Sequence, residues 1–174
     1  YLSCIHMSDA AVQELCDYFT KHYEETGRKV VLAFAGDHAP SFVDHVADKA
    51  RTEGNDLQIL ERSTPFFIWA NYPLENIDAA TSTADSLNRM DMVMLAPTIA
   101  QQAGLPLTGY YKYLLTMKQQ TPVVTAANDY MKVDGTTGTY GEDESLDAWV
   151  KGYLALEYNN IGAHAKRVQS IFGQ

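Results

Sequence analysis

The chain is poor in cysteine, in basic residues and in long apolar runs. Cys4 and Cys16 are its only cysteines in 174 residues. Their spacing fits no zinc motif, and two thiols do not make a disulfide framework. They read as small buried hydrophobes and leave the redox compartment open. Lys and Arg number 13 against 22 Asp and Glu, for a net charge of −9 and a pI near 4.9. That balance argues against a nucleic-acid partner, which calls for a basic face. Arg28-Lys29 and Lys166-Arg167 are the only adjacent basic pairs, so no cluster is built for anionic lipid. No apolar run has the length of a membrane-spanning helix, and no signal peptide opens the chain. The first residue is Tyr1, and the expectation is a chain cut from something longer.

What is present suits a globular fold. The 46% hydrophobic content is ample for a core, and the length fits one unit, 1–174, with no internal boundary or repeat. The most informative stretch is residues 30–40, VVLAFAGDHAP. Six apolar residues run into Gly36, Asp37 and His38. An unbroken apolar run reads as a strand buried on both faces, as in the middle of a parallel sheet. Asp37 and His38 then sit at the carboxyl end of a core strand, where α/β sheets place ligands. A carboxylate oxygen beside an imidazole nitrogen suits a divalent metal. Neighbours in a strand point to opposite faces, so both reach one ion only if the chain bends, which Gly36 permits. Two plainer readings stay open: Asp37 as the cap of a following helix, and His38 as a surface residue.

The rest reads as helices alternating with strands. Ser8 is a candidate N-cap with Asp9 in the first turn, followed by Val12, Leu15, Phe19 and Tyr23 at helical spacing and Gly27 as the stop. A short helix is expected over 41–50 and a second strand over 64–70, ended by Pro73. Residues 75–88 read as an exposed connection. Residues 92–103 are helical in character, with Pro97 in the first turn and Gly104 as the stop. Thr108 caps another helix that carries Tyr111, Leu114 and Leu115. A short strand is expected over 123–126, a turn at Asp134-Gly135, a flexible loop through Gly135, Gly138 and Gly141, and a last helix over 146–158.

The remaining polar residues carry weaker signals. His45 lies on the helix that leaves the Asp37-His38 loop, either facing a substrate or exposed. Asn71 follows a core strand and is a candidate pocket residue. His22 sits near a helix end, where it favours the dipole. Asp44 and Asp48 read as helix-surface charges. Glu142, Asp143 and Glu144 read as a solvated face rather than a calcium site, since no EF-hand pattern is present. Tyr110, Tyr111 and Tyr113 read as core aromatics with their hydroxyls at the rim.

Several blocks carry a family resemblance: residues 8–12 (SDAAV), 31–41 with its GDH-x-P-S loop, 64–72 (TPFFIWANY), 95–98 (LAPT), 103–107 (AGLPL), 110–114 (YYKYL) and 157–162 (EYNNIG). In this order they resemble the lipoteichoic-acid-synthase-like phosphoglycerol transferases of the sulfatase/alkaline-phosphatase superfamily. The resemblance spans nearly the whole chain. It implies an α/β fold, an alkaline-phosphatase/sulfatase-like sheet with flanking helices, present here as the carboxy-terminal part of the catalytic domain. It implies displacement at a phosphodiester by a threonine nucleophile, assisted by a divalent cation, usually Mn2+, with Mg2+, Ca2+ or Zn2+ as alternatives. Of that metal shell only Asp37 and His38 map onto this chain; the nucleophile and an acidic ligand are expected before Tyr1, leaving this piece inactive alone. It further implies a lipid-linked phosphoglycerol or similar anionic ester as substrate. Upstream transmembrane helices and a site at the extracellular face of a bacterial membrane are implied too. The alternatives are a sulfuric-ester or phosphoric-diester hydrolase of the same superfamily, and a non-catalytic module that binds envelope polymer.

Overall fold

The structure, a computed structural model, describes residues 2–38, 63–74, 89–125, 129–162 and 166–173. They form a mixed α/β arrangement with small antiparallel sheets. The expected helix over 41–50, with Asp44, His45 and Asp48, and the connection over 75–88 lie outside the described residues.

Helix α1 spans Leu2–Thr26. Ser8 is therefore inside the helix and not its cap, a correction to the sequence reading. Its hydroxyl turns back to donate to the Cys4 carbonyl at 3.0 Å, as Thr20 does to Cys16 and Thr26 to His22. Mid-helix Ser and Thr satisfy themselves in this way when no free N–H is in reach. Gly27 ends the helix as expected: its φ is +68°, and its N–H bonds the Tyr23 carbonyl at 2.8 Å. Cys4 is exposed and Cys16 half-buried, so the expectation of two buried thiols fails. The helix carries apolar residues on more than one side. Val12, Cys16, Phe19 and Tyr23 are half-buried, while Met7, Leu15 and Tyr18 face solvent.

Strand β1 (Val31–Ala35) pairs antiparallel with β2 (Phe66–Ala70), Val31 opposite Ala70 and Ala35 opposite Phe66. The expected parallel, doubly buried strand is corrected here: the pairing is antiparallel, and Ala33 and Phe34 are exposed. Every residue of both strands is apolar, so both faces of the ribbon are. Leu32, Phe34, Phe67 and Trp69 line one face, with the Phe34 and Phe67 rings stacked at 5.4 Å.

The second half holds the core. A 3-10 turn (Met92–Met94) leads into α2 (Leu95–Gln102), then α3 (Gly109–Lys118), strands β3 (Val123–Val124), β4 (Asp129–Met131) and β5 (Thr137–Thr139), α4 (Glu144–Ile161) and the short α5 (Gln169–Phe172). Met94, Leu114, Met117 and Tyr153 form the buried cluster, with Val93, Tyr110, Tyr113, Val124 and Trp149 packed around it. Thr108 caps α3 as expected, accepting the Tyr111 N–H at 3.1 Å. Strands β3, β4 and β5 form an antiparallel meander. Gly138 belongs to β5 rather than to a flexible loop. The Tyr130 ring lies over it, and a Cβ there would fall 2.8 Å from the Tyr130 hydroxyl. Fully buried Thr121 shares its hydroxyl proton between the carbonyls of Val123 and Met131, at 3.1 and 3.0 Å.

Candidate metal centre

The end of β1 is held from the β2 side. Gly36 donates its N–H to the Pro65 carbonyl at 3.0 Å, and the Thr64 hydroxyl donates to the Gly36 carbonyl at 2.7 Å. A Cβ at position 36 would sit 2.9 Å from the Thr64 Cβ, which accounts for the glycine. The chain then bends at Asp37. The bend lets both neighbouring side chains reach one point: Asp37 Oδ2 lies 3.3 Å from His38 Nε2, and Asp37 Oδ1 accepts the His38 N–H at 2.9 Å. Both side chains are largely exposed, 87% for Asp37 and 78% for His38.

That spacing fits one divalent cation. Two donors with bonds of about 2.1 Å to a common ion stand 3.3 Å apart when the angle between the bonds is roughly 105°. The same spacing makes a weak ion pair when the imidazole is protonated. Asp37 and His38 therefore fit two positions of a metal shell. Among the described residues no group of three or more His, Cys, Asp or Glu side chains is gathered for a metal.

His45, the third candidate, lies outside the described residues. Asn71 is described, and it is not brought to the pair. It follows β2 at the end of the ribbon where β1 begins, about 20 Å along the strand from Asp37 at 3.3–3.4 Å per residue. Its side chain is engaged with backbone. Oδ1 accepts the Val30 N–H at 2.8 Å, and Nδ2 donates to the carbonyls of Phe19 (2.9 Å) and Arg28 (3.2 Å).

A second group of titratable side chains lies in the core half: Asp91, Tyr110, Tyr153 and Glu157. Burial first, then the Glu157 charge, raises the Asp91 carboxyl above its ordinary range, against the backbone N–H groups of Val93 and Val124 that favour its charged form. Burial, then Glu157, pushes up the Tyr110 phenol. Tyr153 donates to Glu157 Oε1 at 2.9 Å, and burial together with that carboxylate raises its phenol strongly. Asp91 caps the 3-10 turn through the Val93 N–H, and α4 is tied to α3 by the Tyr113 hydroxyl, which donates to the Trp149 carbonyl at 2.6 Å. Asp91 was legible as a cap, standing before the helical run that begins at Met92. Thr64 carried no such signal, because its partner Gly36 is 28 residues away.

The acidic run before α4 is structural in the same sense. Asp143 accepts from Ser145 and Leu146 N–H as the N-cap, and Lys132 Nζ lies 2.9 Å from its Oδ2. Glu142 Oε2 accepts the Thr139 N–H, and both Asp147 oxygens accept the Gly141 N–H. No helix among the described residues is long and apolar enough to cross a membrane. Comparison with protein-family models, with curated proteins and with solved structures gave no match. The functional reading therefore stands on the sequence blocks and on the geometry at Asp37 and His38.

Proposed function

We propose that this chain is the carboxy-terminal part of a metal-dependent phosphoglycerol transferase domain of the lipoteichoic-acid-synthase-like kind. Its setting in this reading is the extracellular face of a bacterial membrane, in envelope polymer or glycolipid synthesis. The sheet of that superfamily, with β1 and β2 as two of its strands, is part of the proposal. The observation that carries it is the Asp37 Oδ2 to His38 Nε2 distance of 3.3 Å, at a strand end locked by Gly36 and Thr64. A divalent cation bound there supplies Lewis-acid polarisation of a phosphodiester oxygen and a lowered pKa for an attacking hydroxyl.

The chain's own residues do three things in this reading. Asp37 Oδ1 accepts the His38 backbone N–H, which holds the carboxylate against His38 and leaves Oδ2 3.3 Å from Nε2. His38 offers Nε2, which requires the neutral ring with its proton on Nδ1. By holding a divalent cation, Asp37 and His38 would place positive charge at one point of a chain of net charge −9, as an anionic phosphoglycerol donor needs. The nucleophile and an acidic ligand come from sequence before Tyr1 in this reading.

The test is a polypeptide extended on the amino-terminal side, assayed with Mn2+ on a glycerolphosphate diester and on an aryl sulfate. Asp37→Ala and His38→Ala are run alongside. Diester cleavage abolished by both substitutions is the expected result. Aryl sulfate turnover instead moves the function to the hydrolase. Absence of both reactions, with no Mn2+ bound, overturns the reading in favour of a non-catalytic binding module.

A further inference from the structure

We propose that Thr64 is the positioning residue that aims the Asp37-His38 pair, acting through the peptide that joins Gly36 to Asp37. This rests on the metal reading above and goes beyond it. The Gly36 carbonyl belongs to the same rigid peptide plane as the Asp37 N–H. The Thr64 hydroxyl donates to that carbonyl at 2.7 Å, a fully formed O–H···O bond. On the other side of Gly36, its N–H is fixed to the Pro65 carbonyl at 3.0 Å. Gly36 is thus gripped on both flanking peptides by two consecutive residues of the neighbouring strand entry, and Asp37 is the first residue outside that grip.

The grip has a reason to be where it is. Asp37 and His38 are largely exposed, and Asp37 is the first residue past the held glycine. The plane of the Gly36–Asp37 peptide sets where the chain enters Asp37, and so where the Asp37 side chain starts. Thr64 holds that plane with its hydroxyl and also acts through its shape, because its Cβ occupies the space where a side chain at position 36 would go, 2.9 Å from that Cβ. The carbon body and the hydroxyl therefore have separable jobs: the Cβ leaves no room for a side chain at position 36, and the hydroxyl fixes the peptide plane.

Three variants of the whole chain separate these jobs from a purely structural role: Thr64→Val, which keeps the shape, Thr64→Ser, which keeps the hydroxyl, and Thr64→Ala. Mn2+ affinity is read with each substitution placed in the polypeptide extended on the amino-terminal side, by titration calorimetry at a temperature where each variant is folded. Amide exchange and three-bond HN–Hα couplings of Asp37 and His38 are read by NMR without metal. Residues that orient metal ligands change affinity by roughly 10–100-fold when lost. Thr64→Val and Thr64→Ala are expected to weaken Mn2+ in that range and to change the Asp37 and His38 couplings, with Thr64→Ser close to wild type in both. Equal weakening in the Ser and Val variants overturns the proposal. So does a fall in melting temperature with affinity and couplings unchanged. If the wild-type polypeptide extended on the amino-terminal side, which carries the ligands expected before Tyr1, binds no Mn2+, the metal reading fails. The grip itself is then judged by the couplings alone, and it is overturned if Thr64→Val leaves them unaltered.

Discussion

Asn71 completes the β1–β2 ladder at Val30 with its side chain. Its Oδ1 takes the Val30 N–H at 2.8 Å, while its own backbone N–H goes to the Val30 carbonyl at 3.2 Å. The same side chain reaches back to the carbonyls of Phe19 in α1 and Arg28 in the connection, so one amide joins helix, connection and ribbon.

Asn71→Ala removes one acceptor and two donors and leaves part-buried backbone groups without them. The expected loss is about 1–3 kcal/mol, read as a lower urea midpoint with an unchanged slope. Asn71→Asp is expected to be worse. It restores the acceptor for Val30 but turns a carboxylate oxygen toward two carbonyls. Mn2+ binding at Asp37 and His38 should survive in both variants wherever they are folded, because Asn71 sits at the far end of the ribbon.

Leu114 is fully buried among Met94, Met117 and Tyr153. Leu114→Ala removes its branched end from a packed cluster, with an expected cost of about 2–5 kcal/mol. Leu115, on the neighbouring face of α3, is only half-buried and should cost clearly less when cut to Ala. Equal losses at the two positions would contradict the placement of the core.

Asp91 and Asp143 predict opposite pH behaviour. The Asp91 carboxyl is raised in the folded state by burial and by Glu157. The folded state then binds the proton more tightly than the unfolded one. Its contribution is fully present below the ordinary value of 3.8 and is lost as pH rises through the higher folded value. Asp143 is lowered by the Lys132 ammonium and by the N–H groups it caps. Its contribution is present above 3.8 and is lost as pH falls through the lower folded value. Urea midpoints across pH 2–8 should show that Asp91→Asn removes a decline on the alkaline side of 3.8. Asp143→Asn should remove a decline on the acid side.

Gly138 lies under the Tyr130 ring with no room for a Cβ. Gly138→Ala is expected to displace the ring and lower the melting temperature. Tyr130→Phe in the same background removes the nearest atom, the hydroxyl, and should recover part of the loss. A double-mutant cycle reads that recovery directly as a coupling between the two sites.

Much of the local structure was legible. Gly27 and Gly104 stop their helices at φ +68°, because only a residue without a Cβ enters that region without cost. Thr108 precedes α3 with an oxygen for a free N–H, and Asp134-Gly135 makes the β4–β5 turn, with the Gly135 N–H on the Lys132 carbonyl. Ser8 misled because a cap residue and a mid-helix hydroxyl look alike until the start of the helix is known. The apolar run at 30–35 misled about its partner. Alternation, or its lack, reports which faces are apolar and says nothing about strand direction.

At the candidate site, the sequence determined the donors. Asp and His stand side by side after a strand and a glycine, and that adjacency is covalent. The tertiary structure decided what the adjacency becomes. It bends the chain at Asp37 with the two donors 3.3 Å apart, and it brings to Gly36 the hydroxyl of Thr64, a residue 28 positions downstream at the entry to β2. It also decided that Asn71 belongs to the backbone of α1 and β1 and not to the pair. Short-range pattern encodes local backbone preference and which side of an element is apolar. Which distant backbone group a polar side chain meets is settled only when the elements pack, and no spacing within the sequence records it.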